Sequence, residues 1–272
     1  MKRPSVLFAA LLPATLFLVS SSSVRAQDAL RPLCPDRPGK GTSACTVDKD
    51  QFQLEVDAFD TTIDRADGTK TTTTVFANPQ LKYGLTDHLD LEASLSPYTH
   101  VENKSHATHS SASGIGDLYL RAKTMLSDDQ DAVAVAIEPF VKIPTAGKTI
   151  GNGATEGGVV LPLNVAFENN WSLGASPEID FLKASSGSGH HAAAVYVVGL
   201  NRSFANGVSA GIELWGASDF DGVGTTNQYS FDLSAAWQPG TSNDIQFDGG
   251  VNIGLNNHTP DTQIYVGLSK RF

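Results

Sequence analysis

Tyr229-Ser230-Phe231-Asp232-Leu233-Ser234-Ala235-Ala236-Trp237 decides the fold. Tyr229, Phe231, Leu233, Ala235 and Trp237 fall on one side of an extended chain. Ser230, Asp232, Ser234 and Ala236 fall on the other, because successive side chains of a strand point to opposite faces. The same period of two runs outward in both directions. Ile245, Phe247, Val251, Ile253 and Leu255 alternate with Gln246, Asp248, Gly250 and Asn252, and Val208, Ala210, Ile212 and Leu214 with Ser209, Gly211 and Glu213. Leu118, Leu120 and Ala122 oppose Asp117, Tyr119, Arg121 and Lys123, while Phe52, Leu54 and Val56 oppose Gln53, Glu55 and Asp57. About twelve such segments follow one another, each near the ~9–11 residues a membrane-crossing strand needs. After residue 26 no segment has 18 consecutive apolar residues, so no helical span is expected there.

Alternation by itself also suits a soluble β-sandwich. The connections separate the two. Every second connection is tight (84–87, 127–129, 169–170, 205–207, 239–243), and the others read as longer polar loops (61–70, 99–113, 144–156, 183–190, 218–226, 256–261). Short turns on one side and long loops on the other are the pattern of outer-membrane barrels. Aromatics agree: Phe52, Tyr83, Phe167, Trp171, Phe204, Trp237 and Phe272 all fall on the apolar face beside the short turns, as in an interfacial girdle. Closure follows from physics, since hydrocarbon offers no partner for an unpaired edge amide. The fold expected is all-β: a transmembrane antiparallel β-barrel of about 12 strands behind an N-terminal signal peptide.

The ends of the chain fit export. Lys2 and Arg3 precede an apolar run from Val6 to Val19, and Val24-Arg25-Ala26 reads as a signal-peptidase site. The expected organisation is a secretory signal peptide over 1–26, a periplasmic N-terminal segment over 27–50, and the outer-membrane barrel over 51–272. Removing Lys2, Arg3 and Arg25 leaves 16 basic residues against 29 acidic, a net charge of −13. That excludes nucleic acid as a partner, because such binding needs a basic face to displace counterions. Cys34 and Cys45, the only cysteines, lie in a Pro/Gly-rich stretch, and in an oxidising compartment they are expected to pair.

Catalytic and cofactor motifs fail on inspection. Gly147-Lys148-Thr149 lacks the glycine five residues earlier that a phosphate loop needs, the position being Lys142. Gly114-Ile115-Gly116 lacks the third glycine of a dinucleotide site and opens a strand. No serine sits in G-x-S-x-G. His100, His106, His109, His190 and His191 fall in polar loops, where imidazoles are usually solvated. No enzyme activity, cofactor or metal is expected.

Several stretches resemble the outer-membrane family described as putative MetA-pathway of phenol degradation. They are Arg37-Pro38-Gly39 ahead of Ala44-Cys45-Thr46, Gln53-Leu54-Glu55, and Pro79-Gln80-Leu81-Lys82-Tyr83-Gly84-Leu85. Gly114-Ile115-Gly116-Asp117-Leu118-Tyr119-Leu120-Arg121-Ala122-Lys123 and Lys142-Ile143-Pro144-Thr145 continue the series. The resemblance covers most of the mature chain. It implies a small barrel in the bacterial outer membrane that passes hydrophobic or aromatic compounds, and it carries no catalytic residues.

Parity supplies the site expectations. Phe76, Tyr98, Tyr119, Phe140, Trp215 and Tyr265 point inward and could form a lane for an aromatic solute. Asp117, Arg121, Lys123, Glu138 and Glu213 are lumen charges, which would be costly in lipid. Partners are then outer-membrane lipids, a small solute, and the barrel-assembly machinery acting through the C-terminal Phe272. The functional expectation is passive passage of small hydrophobic or aromatic solutes. The competing one is a structural or surface-adhesive barrel with a filled lumen.

Overall fold

A computed structural model describes residues 30–128, 131–240 and 244–272. The signal-peptide reading of 1–26 lies outside the described residues.

The alternating segments pair as neighbouring antiparallel hairpins and close into one ring of twelve strands. In chain order these are β1 (Phe52–Ala66), β2 (Thr69–Thr86), β3 (Leu89–Leu95 and Tyr98–Lys104) and β4 (His109–Gly114 and Leu118–Met125). Then come β5 (Val133–Ile143), β6 (Glu156–Val160 and Leu163–Ala166) and β7 (Trp171–Ala175 and Glu178–Lys183). The last five are β8 (His190–Ser203), β9 (Val208–Asp221), β10 (Gly224–Trp237), β11 (Ile245–Gly254) and β12 (Thr262–Arg271). The ring closes where β1 pairs with β12, from Gln53 opposite Arg271 to Ile63 opposite Thr262. At the chain end the Phe272 amide donates to the Phe52 carbonyl at 2.8 Å. No edge therefore remains at the junction of first and last strands, as lipid requires. No helix among the described residues is long and apolar enough to cross a membrane.

The outer face carries the apolar set and the inner face the polar one. Leu233, Ile212, Leu214, Ile253 and Ile264 are exposed on the outside, whereas Gln53, Lys82, Asp90, Lys123, Ser230 and Asp232 are buried within. Around the short-turn end the outer rings gather: Phe52 lies 4.7 Å from Tyr83, and Trp237 lies 6.0 Å from Phe247.

Two sequence expectations change here. Several of the long polar loops are extended hairpins instead. β1 and β2 continue to Ala66 and Thr69 and turn through Asp67-Gly68 alone, both with positive φ (51° and 75°). This is the two-residue turn that Asp-Gly favours. β9 and β10 likewise meet across Gly222-Val223. Threonine-rich polar sequence reads as loop, yet it pairs well wherever both faces of a hairpin are wet.

The second change is in parity. In four successive strands the alternation slips by one residue, at Ala58, Ala77, Pro97 and Gly116. Ala58 is the extra residue where the β1–β12 register shifts, and Ala77 has φ 49°. Pro97 interrupts β3, and Gly116 interrupts β4. A bulge turns the following side chains to the other face. Below this seam Asp57 and Asn78 face inward and are hydrogen-bonded to each other at 3.0 Å. Above it Phe59 and Phe76 face outward, with ring centroids 5.5 Å apart.

Candidate functional site

The wall alone does not make the site. Residues 31–48 lie inside the short-turn end of the ring, against the inward faces of strands on all sides. The Cys34–Cys45 disulfide closes this stretch into a loop. The sequence reads residues 27–50 as a periplasmic N-terminal segment; within it, polar partners hold residues 31–48 in the lumen. Asp36 accepts from Lys123 Nζ at 2.9 Å and also from Lys82. Arg37 pairs with Asp57 and, at 2.6 Å, with Asp248. Lys40 donates to Ser230 Oγ at 2.8 Å and stands 3.4 Å from Asp232. Thr42 N donates to Ser176 Oγ, and Arg271 reaches Asp48 at 2.8 Å. Ala44 and Val47 are buried with them.

The layer beneath is a dense charge network. Lys82 sits 2.6 Å from Glu55, and Lys123 sits 3.3 Å from both Glu92 and Glu138. Both lysines are fully buried. Buried ions are tolerable only when paired, and each lysine here meets several carboxylates. Burial by itself would raise the Asp36 carboxyl, but Lys123 and Lys82 beside it hold it well below the usual aspartate range.

Above the segment the lumen opens into a cavity of about 500 Å³. Asp36, Arg37 and Lys40 form its floor, Tyr119 and Arg121 part of its wall, and Ala146 and Ile150 its cover. A second space of about 290 Å³ shares Lys40, Tyr119 and Arg121, and adds Phe140, Glu178 and Asp180. Arg121 stands at the join. Its guanidinium carbon lies 5.1 Å from the Tyr119 ring centroid and 5.8 Å from that of Phe140. It donates to Ser94 Oγ at 2.9 Å and approaches Glu138 at 3.4 Å. A cation packed against two neighbouring rings is held in place and keeps its remaining N–H groups for a ligand.

The six rings of the sequence-derived lane divide. Tyr119 and Phe140 line the open space, 6.4 Å apart. Trp215 faces the lumen but is covered by Lys40, whose Nζ lies 4.4 Å from its centroid. Tyr265 is buried beneath Arg37 at 5.8 Å. Phe76 and Tyr98 are corrections: both face outward, 44% and 45% exposed, with centroids 6.1 Å apart. They stand beyond the slips at Ala77 and Pro97, so parity carried across the seam gives the wrong face. The lumen charges all point inward. Asp117 pairs with Lys142 at 3.4 Å and accepts from Ala146 N at 2.9 Å, and Glu213 accepts from Lys40 N at 2.8 Å. The residues missed were Asp36, Arg37 and Lys40. Their one sequence signal is a cluster of opposite charges in the Pro/Gly stretch.

A closed, lipid-facing ring with charged residues and a cavity inside defines a barrel of the outer-membrane type. The chain belongs to the family described as putative MetA-pathway of phenol degradation, which matches residues 35–272. Among solved structures it is similar to an outer membrane channel from Pseudomonas putida F1, at 15% identity and TM-score 0.68, covering 87% of this chain and 99% of that one. It is also similar to the translocator domain of the autotransporter NalP from Neisseria meningitidis, at 14% identity and TM-score 0.52, covering 87% and 90%. The NanC porin follows at 9% and 0.50, covering 80% and 98%. These likenesses are of fold. No curated protein matches the chain.

Proposed function

We propose that this chain is a passive outer-membrane channel for small aromatic solutes, with residues 31–48 as an internal plug that must shift or thin for axial passage. The observation that carries the reading is Arg121 packed against the neighbouring rings of Tyr119 and Phe140 where the 500 Å³ cavity meets the 290 Å³ space. Ring walls take an aromatic body by stacking, and the guanidinium takes a phenolic or carboxylate oxygen. A purely aliphatic solute would leave the surrounding charges unsolvated, at a cost in free energy. Membership of a family described by phenol degradation agrees with that chemistry. No step needs a cofactor or catalytic group; the gradient supplies the drive.

The test is solute flux into liposomes carrying the refolded protein, comparing small ions, a sugar, phenol and benzoate. Aromatic flux above that of empty liposomes, and above that of the sugar, is expected. The plug itself favours a second reading, a structural or surface-adhesive barrel with a filled lumen. A heat-modifiable barrel with no flux of any solute, even after deletion of 31–48, would establish that reading instead.

A further inference from the structure

Strand register lines up basic residues in one row across the outer ends of β1 to β4. Arg65 stands opposite Lys70, Lys70 opposite Lys104, and Lys104 opposite His109. The row is on the outward face, because Lys70 lies six residues from the outward Phe76 and Lys104 six from the outward Tyr98. Like charges directly opposite one another destabilise a sheet. Carboxylates answer the two ends of the row. Arg65 pairs with Asp261 at 2.9 Å, and Glu102 pairs with Lys104 and His109, each at 2.8 Å. Lys70, in the middle, meets no carboxylate at ion-pair distance among the described residues. Asp67, at the turn beside it, pairs with none of the row. Arg65, Lys70 and Lys104 line an open hollow of about 390 Å³, with Ser105 and His106 at its edge.

Height in the membrane says what the hollow faces. Lys70 lies 13 residues up β2 from Tyr83 of the short-turn girdle. For a strand tilted about 40° that is roughly 34 Å along the axis, about 9 Å beyond a ~25 Å apolar band. The row therefore stands among headgroups, on the side away from the short turns, which is the cell exterior. Below it, on the same outward face, Phe59, Phe76 and Tyr98 form a row of rings across the same strands. Those rings lie at acyl-chain depth. Cations above and rings below repeat the vertical order of a phosphorylated lipid. A free anion would make no use of the rings, and a solute entering the lumen would not meet the outward face.

We propose that Arg65, Lys70 and Lys104 bind a headgroup phosphate of an outer-leaflet glycolipid of the lipopolysaccharide type, whose acyl chains descend past Phe59, Phe76 and Tyr98. A phosphate monoester brings the charge that Lys70 lacks and several acceptor oxygens, which the guanidinium fork and two ammonium groups can share. The site lies outside the lumen, so the inference stands apart from solute passage and holds for an open or a filled barrel.

The test uses the full chain in detergent and native mass spectrometry. The probes are lipid A with both phosphates, the same lipid stripped of phosphate, and inorganic phosphate. Wild type is expected to retain the phosphorylated lipid in preference to the other two. Lys70→Gln should weaken that binding about fivefold, and Lys70→Gln with Lys104→Gln about 25-fold, from the usual worth of a lysine at an anionic lipid surface. Lys70→Arg should preserve it. Lys270→Gln, on the lysine set over Phe272 at the short-turn end, should leave it unchanged. Without lipid, Lys70→Gln should resist urea at least as well as wild type, because one of three opposed cations is gone. Heat-modifiable migration checks the fold of each variant. Equal retention of the phosphate-free lipid overturns the site. An equal loss in Lys270→Gln also overturns it, and makes the attraction one of net charge. Inorganic phosphate bound as tightly as the lipid makes the hollow a free-anion site and overturns the lipid. A Lys70→Gln chain weaker than wild type in lipid-free urea overturns the proposal too, since Lys70 is then a structural partner within the wall. Wild type that retains no lipid leaves nothing of it.

Discussion

Lys40 Nζ lies 4.4 Å above the ring centroid of Trp215, so a residue of the plug covers an aromatic of the wall. A ring that parity alone would give to a solute is here part of the plug's seat. Trp215→Ala is therefore expected to loosen the plug while leaving the barrel folded. A cation–π contact is worth about 0.5–2 kcal/mol, so the open fraction should rise about 2- to 30-fold. Single-channel recording measures it, and heat-modifiable migration checks the fold. A change in solute preference with no change in open fraction would refute this assignment.

Asp36 ties the plug to Lys82 and Lys123. Asp36→Asn removes a charge-assisted hydrogen bond worth about 2 kcal/mol, and the open fraction should rise about thirtyfold. The sign of the pH effect follows from the depressed carboxyl. Its contribution is nearly complete above the ordinary aspartate value of about 3.9, and it is lost progressively as pH falls from there to the lower, bound value. Asp36 should therefore hold the plug nearly as firmly at pH 4 as at pH 7. Conductance of wild type and Asp36→Asn at both values checks this; a wild-type opening at pH 4 that the variant lacks would contradict it.

The Cys34–Cys45 bridge closes a short loop within the plug, over a sequence separation of 11. In the chain-entropy account such a closure stabilises by about 3 kcal/mol. Replacing both cysteines by serine should leave the barrel heat-modifiable, since no strand contains either residue. The plug should become sensitive to protease while the barrel stays resistant. Loss of the barrel itself would give the disulfide a role in barrel folding that its position does not suggest.

Tyr119 faces the 500 Å³ cavity, Phe140 faces the adjoining 290 Å³ space, and Phe76 faces outward. Losing one aromatic contact, about 1 kcal/mol, should lower phenol flux about fivefold in Tyr119→Ala or Phe140→Ala without lowering sugar flux. Phe76→Ala should match wild type. Equal losses in all three would mean that the rings act on stability alone.

On the outer wall, Leu233→Arg should cost about 2–4 kcal/mol near the bilayer midplane. Urea titration of the folded fraction in lipid measures it, with Leu233→Met as the near-neutral control.

The sequence by itself determined the barrel. Lipid outside and water within force a period of two on every strand, and that period is local, so Tyr229–Trp237 or Leu118–Lys123 can be read without knowing their neighbours. The aromatic belt and the inward charges follow from the same parity. Only the tertiary structure decided what fills the ring. The contacts of Asp36, Arg37 and Lys40 join residues 87, 211 and 190 positions apart. No local period encodes such pairs; they arise when closure brings distant strands around one short segment. The slips at Ala58, Ala77, Pro97 and Gly116 were equally out of reach. An alternating pattern survives a one-residue bulge with its face reversed, so Phe76 and Tyr98 read as inward until neighbouring strands fix the register.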